Sequence, residues 1–412
     1  MNRRVVVTGV GAITPIGNNA QEFWKSIKEG KCGIDEITQF DTTDFKVKLA
    51  AEVKNFNAED YLDKKQAKRL DKFSCFAIIA SREALQDSGI NNDNTDMERV
   101  GCIVSSGIGG LKTIEDQNRN LVEKGPDRVS PMYIPTGIVN MATGNVAIEL
   151  GLKGDSFAIV TACASATHSI GEAFRMIRHG YQDAMVVGGT EASITPTGVA
   201  GFSNLKALSQ ATDKLRASIP FDKERNGFVM GEGAGVIILE DLEHAKKRNA
   251  KIYAEIVGYG ASSDAYHITS PLPDGAGGAR AMVNVIKDAG LNPSDIEYIN
   301  AHGTSTPLND KCETSAVKIA LGEHSKNVMV SSTKGHTGHL LGAAGGIEAI
   351  ACIKAIEDSF VPATIGYKVE DEECDLDIVP NKGRNMEVKV AMSNSLGFGG
   401  HNSSVIFKKY ED

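Results

Sequence analysis

Short apolar, β-branched runs recur along the chain, separated by stretches with helical spacing. The runs at 4–8, 100–105, 157–161, 184–188, 235–239, 252–259, 296–300, 328–332, 388–393 and 403–407 read as strands. Those at 157–160 and 328–330 are apolar throughout, the pattern of strands covered on both faces. Further on, Ala166, Ile170, Phe174 and Ile177 keep three-to-four spacing, which predicts a helix that Gly180 ends. Alternating strands and helices predict an α/β architecture. Arg3 and Arg4 before Val5-Val6-Val7 imitate a secretory leader, but Thr8, Gly9 and Gly11 interrupt the apolar run. The segment reads instead as a first buried strand at 4–8 running into a glycine turn. The stretches 157–180 and 328–359 share one order of features: strand, polar turn, small-residue helix. A duplicated domain and a generic βα unit both account for that echo. The charged stretch 240–251 separates two such blocks and predicts halves at 1–250 and 251–412.

At 412 residues the chain is long enough for two or three domains, taking about 150 residues for each. Lys plus Arg number 44 and Asp plus Glu 53, a net charge of −9. Nucleic acid is therefore not expected as a partner, because phosphate binding needs concentrated positive charge. The seven cysteines include no CxxC pair, so neither a zinc ribbon nor a disulfide framework is expected. The simplest compartment is a reducing one, the cytoplasm. No apolar run reaches the roughly 18 residues needed to span a bilayer, and no membrane partner is expected.

Cys163 lies in Thr161-Ala162-Cys163-Ala164-Ser165, at a strand-to-helix junction. Backbone N–H groups and the helix dipole there favour thiolate, and such a thiol can fall to about 3.5–7.5. The same N–H groups can form half of an oxyanion hole. The plain alternative is a small buried filler among alanines. His302, in Asn-Ala-His-Gly-Thr-Ser-Thr, follows a predicted strand, and so do Lys334 and His339, in Lys-Gly-His-Thr-Gly-His-Leu-Leu-Gly-Ala-Ala-Gly. Strand ends in α/β folds are where sites gather. The glycine loop Gly397-Phe398-Gly399-Gly400 suits a phosphate cradle or a set of N–H groups facing a reacting carbonyl. Lys64, Lys65, Lys68, Arg69 and Lys72 have helical spacing and read as one positive face, either solvated or partner-binding.

These motifs, with Pro220-Phe221-Asp222-Lys223-Glu224-Arg225-Asn226-Gly227-Phe228, resemble the β-ketoacyl-acyl-carrier-protein synthases of the elongating type, over essentially the whole chain. The resemblance implies a thiolase-like fold of two α/β halves in five layers, αβαβα, and a homodimer. It implies Cys163 as nucleophile, His302 and His339 as donors to an enolate, and Lys334 as the residue that holds the histidine network. Phe398 becomes the gate between two half-reactions, and its N–H shares the oxyanion hole with that of Cys163. Ile108 and Phe202 become acyl-pocket walls, though each alone reads equally as core. Thr304 and Thr306 become hydroxyls for the pantetheine arm, and Lys64, Lys65, Lys68, Arg69 and Lys206 contacts for an acidic acyl-carrier protein. No cofactor and no transition metal are implied; Glu348 with Asn394 is implied as part of an internal monovalent-cation site. The implied reaction is decarboxylative condensation of a Cys-bound acyl group with malonyl-acyl-carrier protein, elongating fatty acids by two carbons. Leu396, His336 and His401 depart from the commoner residues of the family.

The rivals are a thiolase, a polyketide-type condensing enzyme and a metal protein built on His302, His336 and His339. A thiolase would place a second cysteine in the glycine loop, and 397–402 has none. Three histidines can hold zinc, but no HExxH helix accompanies them.

Overall fold

In the computed structural model, which describes residues 2–411, nine strands form one mixed sheet. They are β1 (Val5–Ile13), β2 (Val100–Ser105), β3 (Ala184–Glu191), β4 (Gly233–Asp241), β5 (Ala254–Ser263), β6 (Tyr298–Asn300), β7 (Met329–Ser331), β8 (Val390–Gly397) and β9 (His401–Lys408). Their spatial order is β2-β3-β4-β1-β5-β9-β8-β6-β7. A parallel bridge from Ser156 to Cys102 lays the following segment along the outer edge of β2.

With that segment counted, the first half reads third, second, fourth, fifth, first in chain order. The second half reads first, fifth, fourth, second, third. The pairing senses mirror as well: β2 is parallel to β3 as β6 is to β8, and β4 is antiparallel to β1 as β9 is to β5. The echo between 157–180 and 328–359 is thus a duplication. The halves join where Val5–Val7 of β1 pair antiparallel with 254–256 of β5.

Strand alternation decides which core each residue enters. Val187, Ile237 and Leu239 face a central core, as do Val405 and Phe407 from the other half. Helices Ser165–Arg178 and Ala344–Asp358 supply Ile170, Phe174, Ile347 and Ile350 to that same core. Val186, Val236 and Ile238 face outward onto helix Lys72–Ser88. Ile406, Met392 and Ile299 face outward onto helices Ala276–Ala289 and Pro307–Leu321. Helix Met141–Leu150 joins the first outer face through Ala142 and Val146, and helices, sheet, helix pair, sheet, helices are the five-layer thiolase-like arrangement.

Two expectations change. The predicted strand at 157–161 is extended edge chain, not a strand. The Phe157 N–H reaches Cys102 O at 3.3 Å, but the Ile159 N–H is taken by the Ser105 hydroxyl at 2.9 Å, which ends the ladder. Phe157 and Val160 are 42% and 52% exposed, so this run is not covered on both faces. Strand β1, in contrast, continues through Gly9 and Gly11 instead of turning there. Helix Lys72–Ser88 crosses so closely that a Cβ at either glycine would collide with the carbonyl oxygens of Ala84 and Ala80.

Candidate active site

Duplication explains where the reactive residues gather. Cys163 follows the third extended segment of the first half, Lys334 and His339 follow the third strand of the second half, and His302 follows its second. The central helices start side by side, with Gly345 packed so tightly on Thr167 that no side chain fits there. Their N-terminal ends therefore deliver Cys163 and His339 to one point.

Cys163 stands in a 3₁₀ turn, Ala162–Ala164, ahead of helix Ser165–Arg178. Ala162 takes φ +52°, a left-handed conformation that costs a non-glycine residue about 1–3 kcal/mol. The resulting elbow turns the cysteine out of the strand line. Cys163 Sγ lies 3.1 Å from His339 Nε2, and the Phe398 N–H also donates to the sulfur. Cys163, His302 and His339 each place one heteroatom within 4.8 Å of the others, and all three are buried. The imidazole rings of His302 and His339 meet edge to face at 5.3 Å.

His339 Nδ1 accepts the Leu341 N–H at 3.3 Å. A neutral imidazole with Nδ1 accepting carries its proton on Nε2. His339 therefore points an N–H at the sulfur. His302 is held through its backbone: Glu313 accepts the N–H groups of His302 and Gly303, each at 2.7 Å. Lys334 is buried and paired with Glu348. Burial first, then the Lys334 charge, hold both histidines well below the ordinary imidazole range, so both are neutral. Burial raises the Glu313 carboxyl to about 7.

The thiol differs from expectation. Burial pushes Cys163 up to about 12; Lys334 and the Phe398 N–H pull it down, while Glu191 and Glu348 push it up. Desolvation outweighs the helix terminus, because removing a thiolate from water costs more than N–H groups return. The resting group is a thiol.

A cavity of about 510 Å³ leads to this point, and Ile108, Phe202, Lys206, Thr304, Thr306, Leu396 and Phe398 line it. Thr304 and Thr306 bond to each other through their hydroxyls at 2.9 Å. Phe202 packs against Phe228 at 5.5 Å and Phe398 at 6.4 Å, and Phe228 packs on His339 at 5.2 Å. Lys64, Lys65, Lys68 and Arg69 are exposed on and beside the short helix Lys64–Ala67, which the Asp63 side chain caps. Lys72 does not join them: its Nζ pairs with buried Glu232 at 2.6 Å. Glu348 is the counter-ion of Lys334, and Asn394 accepts the Ser404 hydroxyl at 2.7 Å. His336 turns away from the cluster, its nitrogens on Lys31 O at 2.8 Å and Ala363 O at 3.2 Å, so the three-histidine metal set does not assemble.

Glu313, Glu191, Phe228 and the Leu341 N–H escaped the sequence reading. Glu313 carries a signal, an acidic residue on the apolar stripe of a helix that starts five residues after His302. Glu191 and Phe228 are joined to the site only by folding, and the Leu341 N–H is aimed at His339 by a left-handed turn.

The family described as Beta-ketoacyl synthase, N-terminal domain, matches residues 2–245, and its C-terminal domain matches 253–368. The chain is 54% identical over 411 residues to a 3-oxoacyl-[acyl-carrier-protein] synthase 2 of Staphylococcus aureus strain N315, covering 100% of this chain and 99% of that protein. A protein of the same description from Synechocystis sp. is 54% identical over 410 residues, 99% of each. Among solved structures, a type II polyketide acyl-carrier protein in complex with its ketosynthase bound to the hexaketide aligns with a TM-score of 0.93 at 35% identity, over 100% of both chains. A β-ketoacyl synthase from Burkholderia phymatum aligns with a TM-score of 0.92 at 33% identity, over 99% of this chain and 100% of that one. With a cysteine and two neutral histidines converging where the halves of a thiolase-like fold meet, and with family matches to both halves, the chain belongs to the β-ketoacyl synthases.

Proposed function

We propose that this chain elongates fatty acyl groups by decarboxylative condensation with malonyl-acyl-carrier protein, with Cys163 as the nucleophile. The carrying observation is the 3.1 Å contact of Cys163 Sγ with a His339 whose Nδ1 is already occupied. In the first half-reaction the sulfur attacks the acyl thioester, and the carrier leaves as its thiol with the proton that Cys163 loses. In the second, malonyl loses CO₂ and the electron pair becomes an enolate. The Nε2–H groups of His302 and His339 donate to the enolate oxygen. The carbanion attacks the acyl-Cys163 carbonyl, and the N–H groups of Cys163 and Phe398 receive the tetrahedral oxyanion. Collapse releases the 3-oxoacyl-carrier, and Cys163 recovers a proton from solvent. Burial, with the Lys334 charge that Glu348 holds in place, keeps both histidines neutral. Phe398 is the gate, Ile108 and Phe202 are acyl-pocket walls, and Thr304 and Thr306 bind the pantetheine arm.

The 54% identity to 3-oxoacyl-[acyl-carrier-protein] synthases 2, against 35% to the ketosynthase of a type II polyketide system, favours this over a polyketide role. Against the metal reading, His339 carries its proton on the nitrogen a metal would need. Intact mass tests the proposal. Long-chain acyl-carrier adds one acyl group to the protein, and malonyl-carrier then discharges it as 3-oxoacyl product. No acylation at any chain length overturns the reading.

Lys64, Lys65, Lys68, Arg69 and Lys206 form the carrier-docking set, supported by their exposure without ion-pair partners among the described residues. Reversing Lys64, Lys65 and Lys68 to glutamate raises KM for the carrier substrates about tenfold or more while kcat holds, and added salt weakens the wild type in the same way. Steady-state kinetics with the intact carrier checks this.

The homodimer is supported by the apolar edge at Phe157 and Val160, with Ile134 and Ile148 also exposed, which a second copy would cover. Free thiols at all seven cysteines fit a reducing cytoplasm. The division at residue 250 rests on the mirrored strand order.

A further inference from the structure

We infer that Glu191 is a positioning residue for His339: it holds the Gly342 peptide so that the preceding N–H, that of Leu341, fixes the Nε2–H form of the imidazole. The inference rests on the donor role proposed for His339.

Glu191 ends β3, in the half that carries Cys163. It is fully buried, yet its carboxylate accepts four hydrogen bonds. Oε1 takes the hydroxyls of Ser106 at 2.9 Å and Ser193 at 3.0 Å. Oε2 takes the N–H groups of Gly107 at 2.8 Å and Gly342 at 3.1 Å. The last bond crosses to the half that carries His339. Leu341, one residue before, has φ +49°, a strained conformation for a branched side chain. Strain of this kind persists only where neighbours over-determine it. The Gly342 N–H on Glu191 is one such restraint, and the strained residue is the one whose N–H meets His339 Nδ1. The His339 backbone is held separately, by Val229 O at 2.7 Å and Gly231 N–H at 2.8 Å. Loss of Glu191 therefore frees the ring donor without freeing the residue.

The same carboxylate ties down the loop bearing Ile108, since Ser106 Oγ in turn accepts the Gly109 N–H at 2.9 Å. One buried acid thus ties the Ile108 loop of the nucleophile's half to the Gly342 peptide of the donor's half. A glutamine can keep this geometry: its carbonyl replaces Oε2 toward the two N–H groups, and its NH₂ meets two hydroxyls able to accept.

The test is Glu191→Ala, Glu191→Asp and Glu191→Gln, read by malonyl-carrier decarboxylation and by ¹⁵N NMR of the histidine rings. We expect E191A to lose about 10- to 100-fold in kcat at unchanged KM, with the His339 signal moving away from the Nε2–H form. E191D, one methylene short of Gly342, shows the same loss, and E191Q restores most of the rate and the ring signal. Should E191A fail to fold, E191D carries the comparison. A wild-type His339 signal in folded E191A or E191D overturns the inference, and so does a loss confined to KM. The ring signal reads Glu191 even if the wild type decarboxylates nothing, an outcome that would instead overturn the proposed reaction.

Discussion

Cys163→Ala abolishes transfer of the acyl group to the protein and cuts condensation by a factor on the order of 10⁴ or more, while malonyl-carrier is still decarboxylated. In the proposed first half-reaction the sulfur is the acceptor. Among the described residues, the cluster of groups within 4.8 Å holds one cysteine and two histidines. Alanine leaves His302 and His339 in place. His302 is anchored through Glu313 and His339 through Val229, Gly231 and Leu341, none of which involves the sulfur. The donors to the enolate survive, so CO₂ is released and acetyl-carrier accumulates in place of a 3-oxoacyl product. Intact mass and CO₂ release on one preparation check both halves. A Cys163→Ala protein that still gains an acyl mass would overturn the nucleophile assignment.

His302→Ala and His339→Ala each lower the condensation step by about 10²–10³-fold, the loss expected for one donor to a developing oxyanion. Here the acyl-enzyme accumulates, the reverse of the cysteine variant. The proposed donors are neutral, since burial and the Lys334 charge depress both pKa values well below the ordinary 6.5. The sign follows: a depressed pKa leaves the ring neutral at and above pH 6.5, and protonation sets in only at more acidic pH. Between about pH 6 and 9 the histidines therefore contribute no inflection to the second half-reaction. Rapid-quench turnover of pre-formed acyl-enzyme across that range checks both the size and the flatness. A fall in rate on acidification through pH 6.5 would show instead that a histidine titrates in the ordinary way.

The residues that converge at the site were legible in the sequence because they fall at predicted strand ends within short motifs. Cys163, His302, Lys334 and His339 each need only a strand and the turn after it, which period and glycine content reveal. Nine of the ten expected strand runs are strands in the sheet. The tenth, at 157–161, failed because an apolar run reports that a surface is to be covered, not by what. The turn expected at Gly9 and Gly11 failed for a related reason. Glycine marks both a turn and a close crossing, and only the packed helix Lys72–Ser88 tells which.

Local pattern also misjudged the electrostatics. Lys72 read as part of a positive face, but its partner Glu232 is 160 residues away in the chain. Cys163 read as a lowered thiol from its helix terminus, but burial governs it, and burial belongs to the assembled core. What the sequence by itself determined is the class of fold and the list of side chains that converge at the site, because both follow from short-range period and residue chemistry. What only the tertiary structure decided is their ionisation and aim: which carboxylate meets Lys334, which N–H occupies His339 Nδ1, and how Glu191 crosses from one half to the other. Two of these contacts join residues 14 and 151 positions apart, and no local pattern carries that distance; the Leu341 N–H lies two residues from His339, but its aim depends on a left-handed turn that the pattern does not show.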